Sequence, residues 1–235
     1  MSAQPDPSQD DRQGPPPPRF GGREPAFNLP PGTLWLTLAV LAGFALQNIL
    51  EGPAWTSFMS ALAFVSPVFW PPGSDLPSLT ALPSLVTYAF LHADFMHLAL
   101  NLGFFLAFGS FVERHLGLIR YLLLFALTAA AGALAEFWFR GAEPVALIGA
   151  SGAVYGMTGA AMRFMFASGQ PGQRRRALAF VGVFMGLNLV FGISGLGDFL
   201  AGAQVGWKAH AGGFIAGAVL SYLLARRRSG LHGPA

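Results

Sequence analysis

The sequence predicts an all-α membrane protein: a bundle of six transmembrane helices with a long interfacial loop after the first. Three observations carry that expectation. Charged residues make up 11% of the 235-residue chain and hydrophobic residues 53%, whereas soluble domains carry about 25% charged residues. Most of the surface therefore has to face lipid. The apolar residues fall into six runs of helix-spanning length, and the basic residues collect between those runs, almost all on one side.

The runs lie at roughly 33–50, 94–112, 118–139, 151–168, 177–194 and 207–225, near the ~20 residues that cross a hydrocarbon core ~30 Å thick. The fourth is short, rich in Gly and Ala, and the least apparent by hydropathy. Ahead of the first, residues 1–31 hold Pro15, Pro16, Pro17 and Pro18 among Gly, Gln and scattered charges. Too little apolar surface is present to offset the entropy of ordering, so a disordered tail is expected. A signal peptide is not, because the first apolar run begins near Thr33 and no small-residue cleavage site follows. Residues 32–228 form the membrane domain in this reading, and 229–235 a second short tail. Between the first two runs, residues 51–84 contain Pro67, Pro71, Pro72, Pro77 and Pro83, yet they are too apolar for an ordinary exposed loop. Trp55, Phe58, Phe64, Phe69 and Trp70 suggest a segment seated at the membrane interface, where aromatic rings anchor.

Six spans place Arg12, Arg19, Arg23, Arg114, Arg120, Arg163, Arg174, Arg175, Arg176, Arg226, Arg227 and Arg228 on one side, against Arg140 and Lys208 on the other. By the positive-inside rule both termini are cytoplasmic. Adding or removing a span would scatter the clusters, so count and orientation support each other. The size, the lack of extra domains and the charge bias point to a multi-pass protein of a bacterial plasma (inner) membrane. Basic residues in short clusters between apolar runs describe topology rather than a nucleic-acid groove, and no nucleic-acid partner is expected. The chain has no cysteine, which excludes disulfides and thiolate metal sites.

Polar residues within the spans are costly in hydrocarbon. They are His97, Asn101, Glu113, Glu136, Ser151, Tyr155, Asn188 and His210. Any one of them alone reads most simply as a hydrogen-bonded tie between helices; the case for chemistry is their combination. Ser151 sits in Gly149-Ala150-Ser151-Gly152 at the start of a span. Flanking glycines leave its hydroxyl accessible, and a helix N-terminus offers free N–H groups and a positive dipole end to an oxyanion. Gly152 and Gly156 also form a small-xxx-small packing pair. The run is not the G-x-S-x-G elbow of soluble hydrolases. His210 begins the last span, beside Gly213 and Gly217, another close-packing face. Opposed faces bearing Ser151 and His210 would pair a nucleophile with its general base. His97 and Asn101, four apart, share one face of the second span. Both can donate hydrogen bonds to an anionic tetrahedral intermediate, or simply tie helices together.

The pattern His92-x4-His97-x3-Asn101, Gly109-x3-Glu113-Arg114, Gly149-Ala150-Ser151-Gly152 and Ala209-His210-x2-Gly213-x3-Gly217 resembles the rhomboid family of intramembrane serine proteases. The resemblance spans about residues 85–220 in four segments, and the six-helix family core with cytoplasmic termini matches the charge-derived topology. It implies an endopeptidase that cleaves transmembrane protein substrates in the lipid bilayer by a Ser-His dyad, with no cofactor and no metal. Ser151 matches the catalytic serine and His210 the histidine that activates it. His97 and Asn101 match the oxyanion-hole side chains, beside the Ser151 N–H, and Tyr155 matches the aromatic residue that supports the imidazole. Glu113 and Arg114 match a structural feature at the end of the second helix. Gly149 and Gly152 flank the nucleophile, and Gly213 and Gly217 match the close-packing face. Many members carry a Trp-Arg pair in the first long loop, where this chain has Pro83 and Ser84, so a different seating of that loop is expected.

Other chemistries fit less well. No H-E-x-x-H occurs, and His92 and His97 lie on different helix faces, against a metalloprotease. Lys208, two residues from His210, points elsewhere, against a Ser-Lys dyad. Asp198 reads as a solvated turn residue rather than a triad acid. No internal repeat suggests a transporter. The remaining alternative is an inactive rhomboid-like protein that binds membrane proteins or acts in their quality control. Such a protein would have lost the serine or the histidine, and both are present. The topology has a direct test: reporter fusions after residues 75, 115, 143, 173 and 198 should alternate between the two sides of the membrane. A fusion at 173 reporting from outside would overturn the scheme.

Overall fold

The computed structural model describes residues 28–140, 143–169, 172–194 and 206–225. The predicted tails fall almost wholly outside these residues, as does Asp198. Nine helices are described: α1 Pro31–Ile49, α2 Gly52–Leu62, α3 Ser66–Phe69, α4 Ser84–Thr87, α5 Phe95–Leu116, α6 Leu118–Arg140, α7 Ser151–Ala167, α8 Gln173–Ser194 and α9 Trp207–Leu224. The six long ones stand at the six predicted spans. α8 starts ahead of its apolar run because Arg174, Arg175 and Arg176 form its polar first turn. α5 contains a π-helical turn at Phe105–Gly109. By length and composition alone, α1, α5 and α6 are apolar enough to cross a membrane. The outer faces are apolar, with Trp35, Ile119, Trp138 and Leu223 among the exposed side chains, as lipid-facing helices require.

α7 explains its own weak hydropathy. Gly152, Ala153, Val154, Gly156 and Met157 through Met162 are all buried, because α7 is surrounded by protein rather than by lipid. Association inside a bilayer is driven by close packing, since apolar side chains gain little by leaving lipid for one another. Small residues therefore replace large apolar ones at the centre. The packing reaches the backbone: a Cβ on Gly213 would lie 2.0 Å from the Gly152 carbonyl oxygen, and one on Gly217 would lie 1.9 Å from that of Gly156. α9 thus lies directly on the main chain of α7. On the opposite side a Cβ at Gly156 would meet Thr128 of α6 at 2.3 Å.

The start of α1 has no cap of its own. Its orphan donors are met from α5: the Glu113 carboxylate accepts from Gly32 N (2.8 Å), Thr33 N (2.7 Å) and Thr33 Oγ1 (2.8 Å). Arg114 donates to the Asn28 carbonyl. Glu113 and Arg114 therefore have the structural part expected of them. Without water to hydrate a helix end, a buried carboxylate is the natural acceptor.

The first loop contributes α2, which has no buried residue, and β1 (Phe64–Val65). β1 pairs antiparallel with β2 (Ala146–Leu147), Phe64 opposite Leu147 and Val65 opposite Ala146. Ser66 N donates to the Val145 carbonyl and Val145 N to Ser66 Oγ. Not all the aromatics are outward anchors. Phe64 and Phe69 are buried, Phe69 edge-on to Phe137 of α6 and Trp70 stacked on the same ring. Trp55 faces outward. Alternating Pro and aromatic residues cannot tell a loop that lies on lipid from one that folds back onto the bundle. Pro83 precedes α4, and Ser84 turns inward to donate to the Ala81 carbonyl at 2.7 Å.

The seam between α7 and α9 gives a quantitative expectation. Gly217→Ala should cost about 1–3 kcal/mol, as overpacking of a tight interface does, read as a lower unfolding midpoint in detergent. Gly103→Ala, where nothing lies within 4 Å of an added Cβ, is the control and should not lower it.

Candidate active site

Ser151 is the first residue of α7, after a turn held on several sides. Gly149 has φ 115°, a conformation that L side chains rarely adopt. A Cβ there would also lie 2.7 Å from Cε1 of the His97 ring. Gly149 N donates to the Tyr88 carbonyl at 3.0 Å, and Ala150 N to His92 Nε2 at 3.3 Å. Burial, reinforced by the neighbouring His97, pushes His92 down to about 3, so its ring is neutral and has a lone pair to accept with. His92 is itself clamped by Gln47 of α1, whose amide accepts from His92 N at 3.1 Å and donates to its carbonyl. Val154 N makes the first helical bond of α7, to the Ala150 carbonyl. The amides of Ser151, Gly152 and Ala153 lie ahead of it, in the first turn, where the helix offers no acceptor.

His210 lies in the first turn of α9. Glu136 of α6, fully buried, accepts from Ala209 N at 3.1 Å through Oε2. Its Oε1 accepts from Arg140 Nε and Nη2, each at 2.9 Å. A second distant carboxylate thus caps a second helix, one residue before the imidazole. His210 Nε2 is 2.9 Å from Ser151 Oγ. Tyr155, one turn along α7 from Ser151, lies flat on the His210 ring, with centroids 4.3 Å apart and planes at 3°. Tyr155 also stacks on Phe184 of α8 at 4.6 Å. A hydroxyl hydrogen-bonded to an imidazole, at a helix N-terminus, is an arrangement that can attack a carbonyl and stabilise the oxyanion formed.

The other expected residues can be placed as plainly. His97 packs against Gly149 and edge-on to His92, with ring centroids 5.1 Å apart. Asn101 is buried, but its Nδ2 donates to the His97 carbonyl one turn back at 2.9 Å, within its own helix rather than across the bundle. Gly152 is pressed against α9 at Gly213. Lys208 donates to the Phe139 carbonyl at 2.6 Å, which directs it to the end of α6. Among the described residues no group of three or more His, Asp or Glu could hold a metal ion.

The sequence by itself assigns Gln47, Tyr88 and His92 no part in this turn and gives Asn188 no partner. Asn188 Oδ1 is 2.5 Å from His210 Nδ1. Its position within an apolar run was a signal; the identity of its partner was not.

Residues 80–227 match the family model of the rhomboid domain. The chain therefore belongs to the rhomboid family. It is 30% identical over 149 residues to rhomboid protease GluP of Bacillus subtilis, a match covering 63% of this chain and 27% of that protein. It is 28% identical over 144 residues to RHOMBOID-like protein 5 of Arabidopsis thaliana, covering 61% and 44%. It is 26% identical over 157 residues to mitochondrial rhomboid protein 1 of Saccharomyces cerevisiae, covering 63% and 43%. The match thus spans less than half the length of each relative.

Glu136 should be needed to hold the start of α9. Glu136→Ala leaves the Ala209 N–H without its acceptor and breaks a buried ion pair, and should cost about 3 kcal/mol. Thermal unfolding in detergent measures this. Glu143→Ala, at an exposed position, should change stability by no more than about 0.5 kcal/mol.

Proposed function

We propose that this protein is an intramembrane serine endopeptidase that cleaves transmembrane segments of membrane proteins. The observation that carries the reading is the 2.9 Å contact between Ser151 Oγ and His210 Nε2, made between two helices whose glycine seam leaves no slack. His210 takes the Ser151 proton as Oγ attacks the peptide carbonyl. The oxyanion is received by the Ser151 amide, His97 and the Asn101 amide, which has two N–H donors and commits one to the His97 carbonyl. His210 then gives its proton to the leaving amine. Water attacks the acyl-enzyme with His210 again as base. Tyr155 holds the plane of the imidazole through these transfers.

Hydrolysis in a bilayer needs water at the polar cluster and an unwound substrate, because a regular helix keeps its carbonyls in backbone hydrogen bonds. The substrates are accordingly transmembrane segments with helix-breaking residues, entering laterally. The charge bias supports cytoplasmic termini in a bacterial inner membrane, with Ser151 and His210 towards the opposite face.

The test pairs labelling with cleavage. A fluorophosphonate should label Ser151 in the wild type but not in His210→Ala, and Ser151→Ala should abolish cleavage of a single-span reporter substrate. His97→Ala and Asn101→Ala should each lower kcat about 10²–10³-fold, the usual effect of removing an oxyanion donor. Full activity in both would remove them from that role. Absence of both labelling and cleavage in the wild type would instead favour an inactive membrane-protein-binding function.

A further inference from the structure

Asn188 has no part in the chemistry described so far, and lipid packing does not account for it. Among the described side chains of α8 only Ala177 and Asn188 are buried. Leu178, Val183, Leu187 and Val190 are exposed, as on a peripheral membrane helix. An amide on such a helix is costly unless both its ends are hydrogen-bonded. Both are: Nδ2 donates to the Trp207 carbonyl at 3.3 Å, and Oδ1 lies 2.5 Å from His210 Nδ1.

These two contacts determine where the protons sit. A carbonyl can only accept, so the amide nitrogen faces Trp207 and the amide oxygen faces the imidazole. An amide oxygen also only accepts, so Nδ1 carries the hydrogen. A neutral imidazole has one N–H. Nε2 is left with a lone pair directed at Ser151 Oγ. The other tautomer would set an N–H against the hydroxyl and could not take its proton.

We propose that Asn188 is a positioning residue that holds His210 in the Nδ1–H tautomer and aims Nε2 at Ser151. This rests on the reading of Ser151 and His210 as nucleophile and base. Asn188 takes the orienting place that a buried carboxylate takes in a three-membered serine triad, with a neutral acceptor that needs no counter-charge in a low-dielectric site. The orienting group comes from α8, a different helix from the one carrying the base. The base is therefore aimed only while α8 lies against α9.

The experiment uses the full chain in detergent, labelled with 15N-histidine, His210→Ala serving to assign the ring signals. Wild type should show His210 with hydrogen on Nδ1 and a bare Nε2. In Asn188→Ala the ring should become a mixture of tautomers. The same variant should lose about tenfold or more in kcat, as expected for a misdirected base, with KM within about twofold. Asn188→Asp keeps the acceptor and should restore both the single tautomer and most of kcat. Retention of the Nδ1–H tautomer and of wild-type kcat in Asn188→Ala would overturn the proposal. Equal loss in the Ala and Asp variants, with unfolding midpoints unchanged, would also overturn it, placing Asn188 in packing through Trp207 instead. The tautomer is read without turnover. If the protease reading failed for want of cleavage and labelling, the ring signals would still decide the role of Asn188.

Discussion

The contact on which the rest of the molecule depends is the meeting of two main chains, where Gly213 and Gly217 of α9 rest on the carbonyls of Gly152 and Gly156 of α7. Ordinary helix pairs are held 8–10 Å apart by their side chains. Here no Cβ intervenes, and residues on the two facing turns come within reach of each other through short side chains. Serine is among the shortest, and imidazole is rigid. The 2.9 Å separation of Ser151 and His210 follows from where these two residues fall along the seam. The same closeness explains why α7 can be poor in large apolar residues: its interior is filled by the neighbouring backbone and by small side chains.

A second constraint is the scarcity of water. A helix start placed inside the bundle has donors that solvent cannot reach, and at α1 and α9 this chain meets them with carboxylates from other helices. Glu113 of α5 serves the start of α1, and Glu136 of α6 serves the start of α9. The cap of α9 falls on Ala209, so the group that stabilises the helix end also fixes the height of His210. The turn before Ser151 is treated in the same way. Tyr88, His92 and, behind His92, Gln47 hold it from the first loop and α1. Fold stability and site geometry are therefore maintained largely by the same hydrogen bonds.

α8 is the exception to this density. It meets the bundle through aromatic contacts such as Phe180 with Phe108 and Phe184 with Tyr155, and through the single buried amide of Asn188. Non-directional aromatic contacts tolerate sliding, whereas a hydrogen bond to an imidazole does not. A helix that contributes little to the core thus makes one of the most geometrically demanding contacts of the site.

Much was legible before any coordinates. Six apolar runs, the segregation of arginines and the glycine spacing on two spans follow from local rules: the thickness of hydrocarbon, the membrane's charge asymmetry and the absence of a Cβ. Ser151 and His210 could be singled out because each sits near a helix start, next to small residues, whereas the part of Tyr155 came only from the family resemblance. Beyond the Ser151–His210 pair, which the glycine faces and the family resemblance suggested, pairings between distant segments were out of that reach. Nothing local says that Glu113 caps α1, that Glu136 caps α9, that Phe64 and Phe69 turn inward, or that Asn188 meets His210 rather than a neighbour on its own helix. Nor does anything local say that the Asn101 amide commits one of its two N–H groups to the His97 carbonyl of its own helix. A side chain's hydrogen-bond partner is decided by which acceptor lies nearest in space. Spacing along one helix fixes which residues share a face, but only the rotation and depth of each helix against the others decide what that face meets.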